Sequence, residues 1–317
     1  MLEEWITYIL FLCGLYAVIC WILRISYCAR ALTSNTDLSL YGRGSWALVT
    51  GSSDGIGFGF AEYLASQGFN IILIARNQEK LEKSAQSLEE KYPIKTRIFS
   101  KDFSLASKSP IDFFQDLREK TNDLDISIIV NNVGFGPVPT YFCSYPENEV
   151  YLANSLNIFP VVFITKLFLP RLLERKNRSA FINVSSLGSC FPGPWFSLYS
   201  SGKGFIDNFS LIINEEVKYL CRGKPATIDV LVVKPGFVDS PMSRHIKIRP
   251  YLISAGECAL NCCKALGKVA YMPVSWKQLY MYAARTVLYD FGPSIRTNKT
   301  VMGLTSKYPK LSYILKI

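Results

Sequence analysis

Apolar positions in this chain come in blocks, and the blocks have two lengths. The first is long. Trp5 to Leu23 contains no charged residue. As a helix, its roughly 19 residues extend about 28 Å, close to the hydrocarbon thickness of a bilayer. Trp5, Tyr8 and Trp21 lie near its ends, as interfacial aromatics do. The later blocks are short: Ser45 to Thr50, Asn70 to Arg76, Ile128 to Gly134, Ile182 to Ser186 and Val230 to Val238. Continuous apolar runs of this size, ending at glycine, asparagine or serine, predict strands buried on both faces. Helical patterns separate them, from Phe58 to about Gln67 and over a long apolar stretch at 151–173. Strands and helices therefore alternate from about residue 45 to 240. That alternation predicts an α/β fold, a doubly wound, mostly parallel sheet in three layers, preceded by a transmembrane helix.

Composition agrees with a packed domain plus an apolar appendage. Of 317 residues, 49% are hydrophobic and only 19% charged, which excludes a disordered chain. The balance of 35 basic and 25 acidic residues leaves a net charge of +10. The basic residues are scattered, with no run interleaved with aromatics, so nucleic acid is not an expected partner. Nine cysteines show no framework spacing, and His245 is the one histidine. No metal site is expected, and Cys258, Cys262 and Cys263 read as buried small hydrophobes. Sequons occur at Asn177, Asn183, Asn208 and Asn298, but Asn183 falls in an expected buried strand. A cleaved signal peptide competes with the anchor reading, on the small residues Ala29 and Ala31. The acidic Glu3 and Glu4 and the length of the run favour a retained anchor. Arg24, Arg30 and Arg43 follow the span, which places the rest of the chain in the cytoplasm.

The first short strand runs into Gly51-Ser-Ser-Asp-Gly55-Ile56-Gly57, and a helix follows. Strand, glycine turn and helix are the context of a dinucleotide site. Gly51 allows the tight turn, Gly55 the approach of a phosphate, and Gly57 close packing of helix on sheet, with the pyrophosphate at the helix N-terminus. The second strand ends at Arg76, where an NAD enzyme places an acid for the ribose hydroxyls. A cation there suits a 2′-phosphate, so NADPH is the expected cofactor. Tyr199 and Lys203 stand four apart, on one face of a predicted helix. The ammonium is expected to lower the phenol's pKa and make Tyr199 a general acid.

The spacing T-G-x-x-x-G-I-G, the pair Asn131-Asn132 before Gly134, and Tyr199-x-x-x-Lys203 in that order resemble the short-chain dehydrogenase/reductase family. The resemblance covers roughly 45–240 and implies a Rossmann-type domain. It implies a catalytic tetrad of Asn157, Ser186, Tyr199 and Lys203. Ser186 is chosen over Ser185 because it lies thirteen residues before Tyr199, and Asn157 over Asn154 because it lies thirteen before Pro170. The implied cofactor residues are Gly51, Ser53, Asp54, Gly55, Ile56, Gly57, Arg76, Asp102, Phe103, Asn131, Asn132, Gly134, Tyr199, Lys203, Pro235, Gly236 and Val238. In that scheme Asp102 contacts the adenine, Lys203 also holds the nicotinamide ribose, and Asn157 supports a proton relay through water.

Within the family, the anchor, Asp102-Phe103 and Asn183-Val-Ser-Ser resemble membrane-bound very-long-chain 3-oxoacyl-CoA reductases and 17β-hydroxysteroid dehydrogenases. The implied substrate is lipophilic, an acyl-CoA or a steroid, and the implied site is the endoplasmic reticulum membrane, single-pass, with a cytoplasmic domain. The long helix at 151–173 would pair two subunits in a homodimer. Gly202 and Gly204 depart from the family pattern around the lysine, and Phe135 to Tyr141 departs from the subgroup. A catalytically silent binding protein is the alternative from another class; the full tetrad argues against it. The expected division is an anchor at 1–30, a linker at 31–44, the catalytic domain at 45–245, and an aromatic-rich lid or membrane-contact extension at 246–317.

Overall fold

The computed structural model describes residues 2–190, 195–243 and 251–291. The chain begins with α1 (Leu2–Thr33) and a 3-10 turn at Leu38–Tyr41. Then come β1 (Trp46–Thr50), α2 (Gly55–Ser66), β2 (Asn70–Ala75), α3 (Gln78–Lys91) and β3 (Thr96–Ser100). The middle of the chain supplies α4 (Pro110–Lys120), β4 (Ile126–Asn131), α5 (Glu147–Asn157), α6 (Phe159–Glu174) and β5 (Ser179–Val184). The last elements are α7 (Ser197–Leu220), β6 (Ile228–Lys234), α8 (Ala255–Ala265), β7 (Tyr271–Pro273) and α9 (Trp276–Phe291).

The strands form one sheet in the order β3-β2-β1-β4-β5-β6-β7, with every pairing parallel. Helices cover both faces, so successive strand residues enter opposite cores. In β1, Ala47 and Val49 join one cluster and Leu48 the other. In β2, Ile71 and Leu73 oppose Ile72 and Ile74 in the same way. The doubly wound, three-layered sheet read from the sequence is the one found. Its strand order reverses between β1 and β4, and a crevice opens there at the carboxyl ends of the strands.

The margins differ from the sequence reading. Residues 31–44 do not hang free. Leu38 and Tyr41 are buried, and the Tyr41 hydroxyl donates to Asp229 Oδ2 at 2.6 Å. Arg178 pairs with the same carboxylate at 3.1 Å. Thr36 adds a backbone bond to the Lys264 carbonyl at 3.0 Å and a side-chain bond to the Leu266 carbonyl at 2.7 Å. An expected linker is thus sewn onto the sheet's lower edge, because its apolar residues fit there.

The boundary expected at 245 also cuts through the core. β7 is the seventh strand, and α8 packs on α2 so closely that a Cβ on Gly59 would stand 2.6 Å from the Ala255 carbonyl oxygen. Cys258, Cys262 and Cys263 are fully buried there, as small hydrophobes. In α9, Gln278, Leu279 and Tyr282 are buried while Trp276 and Tyr280 are exposed. The remainder of that extension, and Asn298, lie outside the described residues. The apolar stretch at 151–173 is two helices, broken at Ile158, where Pro160 has no N–H to continue the ladder.

The first two-thirds of α1 is exposed and apolar, and α1 is long enough to cross a membrane. Its last turns are docked. Cys28 and Ala31 are buried, and Tyr27 stacks on Tyr271 with ring centroids 4.9 Å apart.

Candidate active site

The glycine turn after β1 shows why glycine is needed. Gly51 and Gly55 have φ of +64° and +56°, which other residues adopt only with strain. A Cβ on Gly57 would lie 2.2 Å from the Gly51 carbonyl oxygen. Asp54 caps α2, accepting from its neighbour's amide, Gly55 N, at 2.8 Å. Ser53 and Ile56 flank it, half-buried at the mouth of the crevice. Across the crevice, Asn132 Nδ2 donates to the carbonyls of Thr50 and Gly51 at 3.0 and 3.3 Å. Asn131 Nδ2 donates to Asn183 Oδ1, and Asn183 Nδ2 to Ser210 Oγ, each at 2.8 Å. Asn131, Asn132 and Asn183 therefore tie β1, β4, β5 and α7 together beneath the site.

Arg76 follows β2 directly and is exposed, and no acid stands at the strand end. Asp102 turns its carboxylate to Ser104 N at 2.9 Å. The Phe103 ring does not reach the crevice: it is buried, 5.5 Å from the Phe113 ring. Val238 is likewise buried, in a bridge to Ile253. Sequence order could not separate these core side chains from neighbours whose backbone borders the crevice.

α7 carries Tyr199 and Lys203 into the same space. Lys203 is buried, and its ammonium donates to the Val184 carbonyl at 2.9 Å. A Cβ on Gly134 would come within 3.0 Å of both Lys203 Nζ and Asn157 Oδ1, so these groups converge on the bare backbone there. Ser186 Oγ accepts from Gly188 N at 3.0 Å and donates to the Pro235 carbonyl at 3.4 Å, and a Cβ on Gly188 would lie within 3.3 Å of both Ser186 Oγ and the Tyr199 ring. Ser185 faces inward, donating to the Lys203 carbonyl at 3.0 Å. Of the two serines, Ser186 stands beside the phenol. Asn157 is buried, whereas Asn154 is exposed and bonded within its own helix, to the Val150 carbonyl at 2.8 Å.

Two expectations change in detail. The Tyr199 phenol is not acidified by Lys203. Burial pushes its pKa up, and the Ser186 hydrogen bond offsets part of that rise. The ammonium stands 6.0 Å from the ring centroid and is directed at Val184. Burial also pushes the Lys203 pKa down, from 10.5 to about 8, with Asp207 pulling the other way. Asn157 does not offer a free amide to a water chain. Its Oδ1 accepts from Phe135 N at 3.1 Å and its Nδ2 donates to the Phe135 carbonyl at 2.9 Å. The side chain clamps the loop after β4.

Three participants were missed from sequence. Gln278 of α9 is fully buried and holds the turn after β6 from both sides, accepting from Gly236 N at 2.9 Å and donating to the Phe237 carbonyl at 3.1 Å. Nothing local in the sequence marks it. Asp207 and Lys234 form a buried pair at 2.8 Å. The four-residue step from Lys203 to Asp207 was a readable signal. Among the described residues no cluster of metal-ligating side chains occurs.

The family profile of the short chain dehydrogenases matches residues 45–249. The chain belongs to the short-chain dehydrogenase family. A very-long-chain 3-oxoacyl-CoA reductase-A of Danio rerio is 38% identical over 213 residues, which cover 66% of this chain and 63% of that protein. The inactive hydroxysteroid dehydrogenase-like protein 1 of Pongo abelii is 39% identical over 214 residues, 67% of this chain and 61% of that one. The chain thus spans less than two thirds of the length of these relatives. Among solved structures, a 7β-hydroxysteroid dehydrogenase superposes with a TM-score of 0.68 at 21% identity, covering 82% of this chain and 95% of that one.

The two glycines beside Lys203 are not equivalent. A Cβ on Gly204 would meet nothing within 4 Å, whereas one on Gly202 would press on Asn157 Cβ at 3.0 Å. Gly204→Ala is expected to stabilise the protein by about 0.5–1 kcal/mol, by removing backbone freedom from the unfolded chain. Gly202→Ala is expected to bring no such gain, because Asn157 must shift off Phe135. Melting temperatures of the two variants check this: a larger gain for Gly202→Ala would contradict the packing described.

Proposed function

We propose that this chain is an NADPH-dependent carbonyl reductase for a lipophilic substrate, with 3-oxoacyl-CoA as the substrate class. The observation that carries the reading is the meeting of Tyr199 and Ser186 against Gly188, with Lys203 6.0 Å from the Tyr199 ring centroid and beside Asn157 at the Gly134 backbone, at the crevice where the strand order reverses. The turn fits the cofactor: Gly51 and Gly55 take the left-handed backbone of a tight glycine turn, and Gly57 lets α2 pack against it, so that bare backbone and the N-terminus of α2 would face a pyrophosphate. Arg76, which has no ion-pair partner among the described residues, would hold the 2′-phosphate; Asp102 would border the adenine, and Lys203 the ribose. When bound, reduced nicotinamide supplies a hydride to the carbonyl carbon.

The chain's own residues then manage the oxygen. Burial keeps the Tyr199 phenol protonated, so a proton is in place when the oxygen becomes basic. Ser186 orients that oxygen and the phenol together. Lys203, charged at neutral pH, stabilises the phenolate left behind. Asn157 holds the floor of the site through Phe135. The products are the alcohol and oxidised cofactor, and solvent restores the Tyr199 proton.

The name of the Danio rerio relative supports the acyl-CoA reading. Ketosteroid reduction is the second reading, and a silent binding role the third, supported by the name of the Pongo abelii relative. The intact tetrad argues for turnover. NADPH oxidation by the full chain, assayed with 3-oxoacyl-CoAs and with ketosteroids, separates all three.

The exposed face of α1 and the cations after it support single-pass anchoring in the endoplasmic reticulum, domain outward. The protein is expected to stay in the pellet through alkaline carbonate washing, with its domain open to protease in intact microsomes; a protected, glycosylated domain would contradict this orientation.

NADPH is expected to bind at least about tenfold tighter than NADH, equivalent to about 1.4 kcal/mol. Arg76→Asp should erase that preference. Fluorescence titration decides, and equal affinities in the unmutated protein would reject the assignment.

Tyr199→Phe keeps the ring and removes the donor. It is expected to lower kcat by about two to four orders of magnitude, the range of general acid catalysis, with NADPH affinity little changed. Lys203→Ala is expected to weaken both. Stopped-flow hydride transfer beside cofactor titration separates the two, and unmutated turnover in Tyr199→Phe would remove Tyr199 from the mechanism.

A further inference from the structure

Tyr199, Lys203 and Asp207 follow one another at four-residue steps on α7 and form a single inward stripe. Lys203 and Asp207 are both buried. Asp207 Oδ2 pairs with Lys234 Nζ at 2.8 Å, both side chains nearly covered. Lys234 is the last residue of β6 and precedes Pro235, whose carbonyl accepts the Ser186 hydroxyl. It also lies 3.6 Å from Cys190 Sγ, in the turn after Ser186. One buried ion pair therefore joins the helix bearing Tyr199 and Lys203 to the strand end that backs Ser186.

We infer that Asp207 is a positioning residue: it holds Lys203 in its charged form and fixes the β6 turn against α7. This rests on the reading of the site as a Tyr–Lys reductase centre. Two cations share one carboxylate, Lys234 by direct contact and Lys203 one helical turn away. Asp207 Oδ1 accepts no hydrogen bond among the described residues, so its charge is not spent elsewhere.

The elements packed around Lys203 leave few other charges to consider. α7 contributes Tyr199 and Asp207, β6 contributes Lys234, and the turn after β5 contributes Cys190. β4, β5 and α5 contribute the neutral Asn131, Asn183 and Asn157. Burial pushes the Lys203 pKa down to about 8, and Asp207 is the group that opposes it. Burial likewise disfavours charged Lys234, but Asp207 and Cys190 more than offset that and hold its pKa above the usual value.

A purely structural ion pair would behave differently on replacement. Removing one partner strands a buried charge, whereas replacing both by apolar residues is often tolerated. The Asp207→Leu/Lys234→Met double variant should therefore fold, yet lack the carboxylate that supports Lys203. The test is NMR titration of the full chain in detergent micelles, labelled with [ε-13C]lysine, the Lys203 signal being the one lost in Lys203→Arg. In Asp207→Asn, the Lys203 midpoint should fall by about one pH unit, the scale of a lost neighbouring charge; in the double variant, which loses one charge of each sign, it should fall less. Asp207→Glu should restore it. The alkaline limb of the kcat profile should move to lower pH in parallel. A Lys203 midpoint unchanged in folded Asp207→Asn, or raised in the folded double variant, would overturn the inference. Failure of the wider reading would show separately, as an unmutated protein that binds no NADPH while its Lys203 titration is still measurable.

Discussion

A lysine ammonium taken out of water needs acceptors in place of its hydration shell. Lys203 has the Val184 carbonyl at 2.9 Å, with the Asp207 charge one turn away. The consequence is a charged form held at a disadvantage. The fall from 10.5 to about 8 corresponds to about 3 kcal/mol. Because the folded pKa lies below the unfolded one, the penalty is full below about pH 8 and is relieved as pH rises toward 10.5. The domain therefore carries this cost at neutral pH, where the ammonium is charged. Asp207 opposes that cost from one turn along α7, and the glycine at 134 leaves the room that any Cβ would take from Nζ.

The same burial shapes the tyrosine. A phenol lowered toward neutrality by an adjacent cation would spend part of its time deprotonated and useless as an acid. Here burial raises the Tyr199 pKa, and Ser186 opposes only part of that rise. Lys203, turned toward Val184, does little for the resting phenol. In the proposed reaction its charge would matter more after proton transfer, when a phenolate would form in a site of low polarity. Stabilising the product of proton transfer without acidifying the resting group is a differential effect, the kind that accelerates a reaction.

Much of the fold was legible because its signals are local. Continuous apolar runs marked β1, β2 and β4 through β6, and the glycine turn needs its residues for steric reasons that Gly51, Gly55 and Gly57 display. Asn157, Ser186, Tyr199 and Lys203 were found through family spacing, and the structure brings them to one place. The clamp made by Asn157 and the direction of the Lys203 ammonium were not legible, since both depend on which backbone carbonyl lies opposite. Nor was the seventh strand: β7 has three residues, too few for a period. Gln278 acts on a turn far away in sequence, and no pattern within α9 announces it. The stretch at 31–44 read as a linker because Leu38 and Tyr41 look unremarkable until Asp229 and the sheet edge are set beside them.

The docking of that stretch bears on how a lipophilic substrate would reach the site. An anchor followed by a free linker lets a domain tumble beside the bilayer. α1 instead runs unbroken from exposed residues such as Phe11 and Tyr16 to buried Cys28 and Ala31. Tyr27 stacks on Tyr271, whose ring lies 5.5 Å from Lys234 Nζ, and Lys234 pairs with Asp207. A continuous set of contacts thus runs from the apolar helix to the stripe that carries Tyr199. Cys28 also shares a cluster with Leu187, Leu279 and Tyr282, which brings the helix end beside the turn that follows Ser186. With α1 in the proposed membrane, the site is held at a fixed attitude near the point where the helix emerges. On the proposed reading, an apolar substrate leaving the bilayer there would have little water to cross, so its partitioning into the site would carry a smaller desolvation change than capture from bulk solvent.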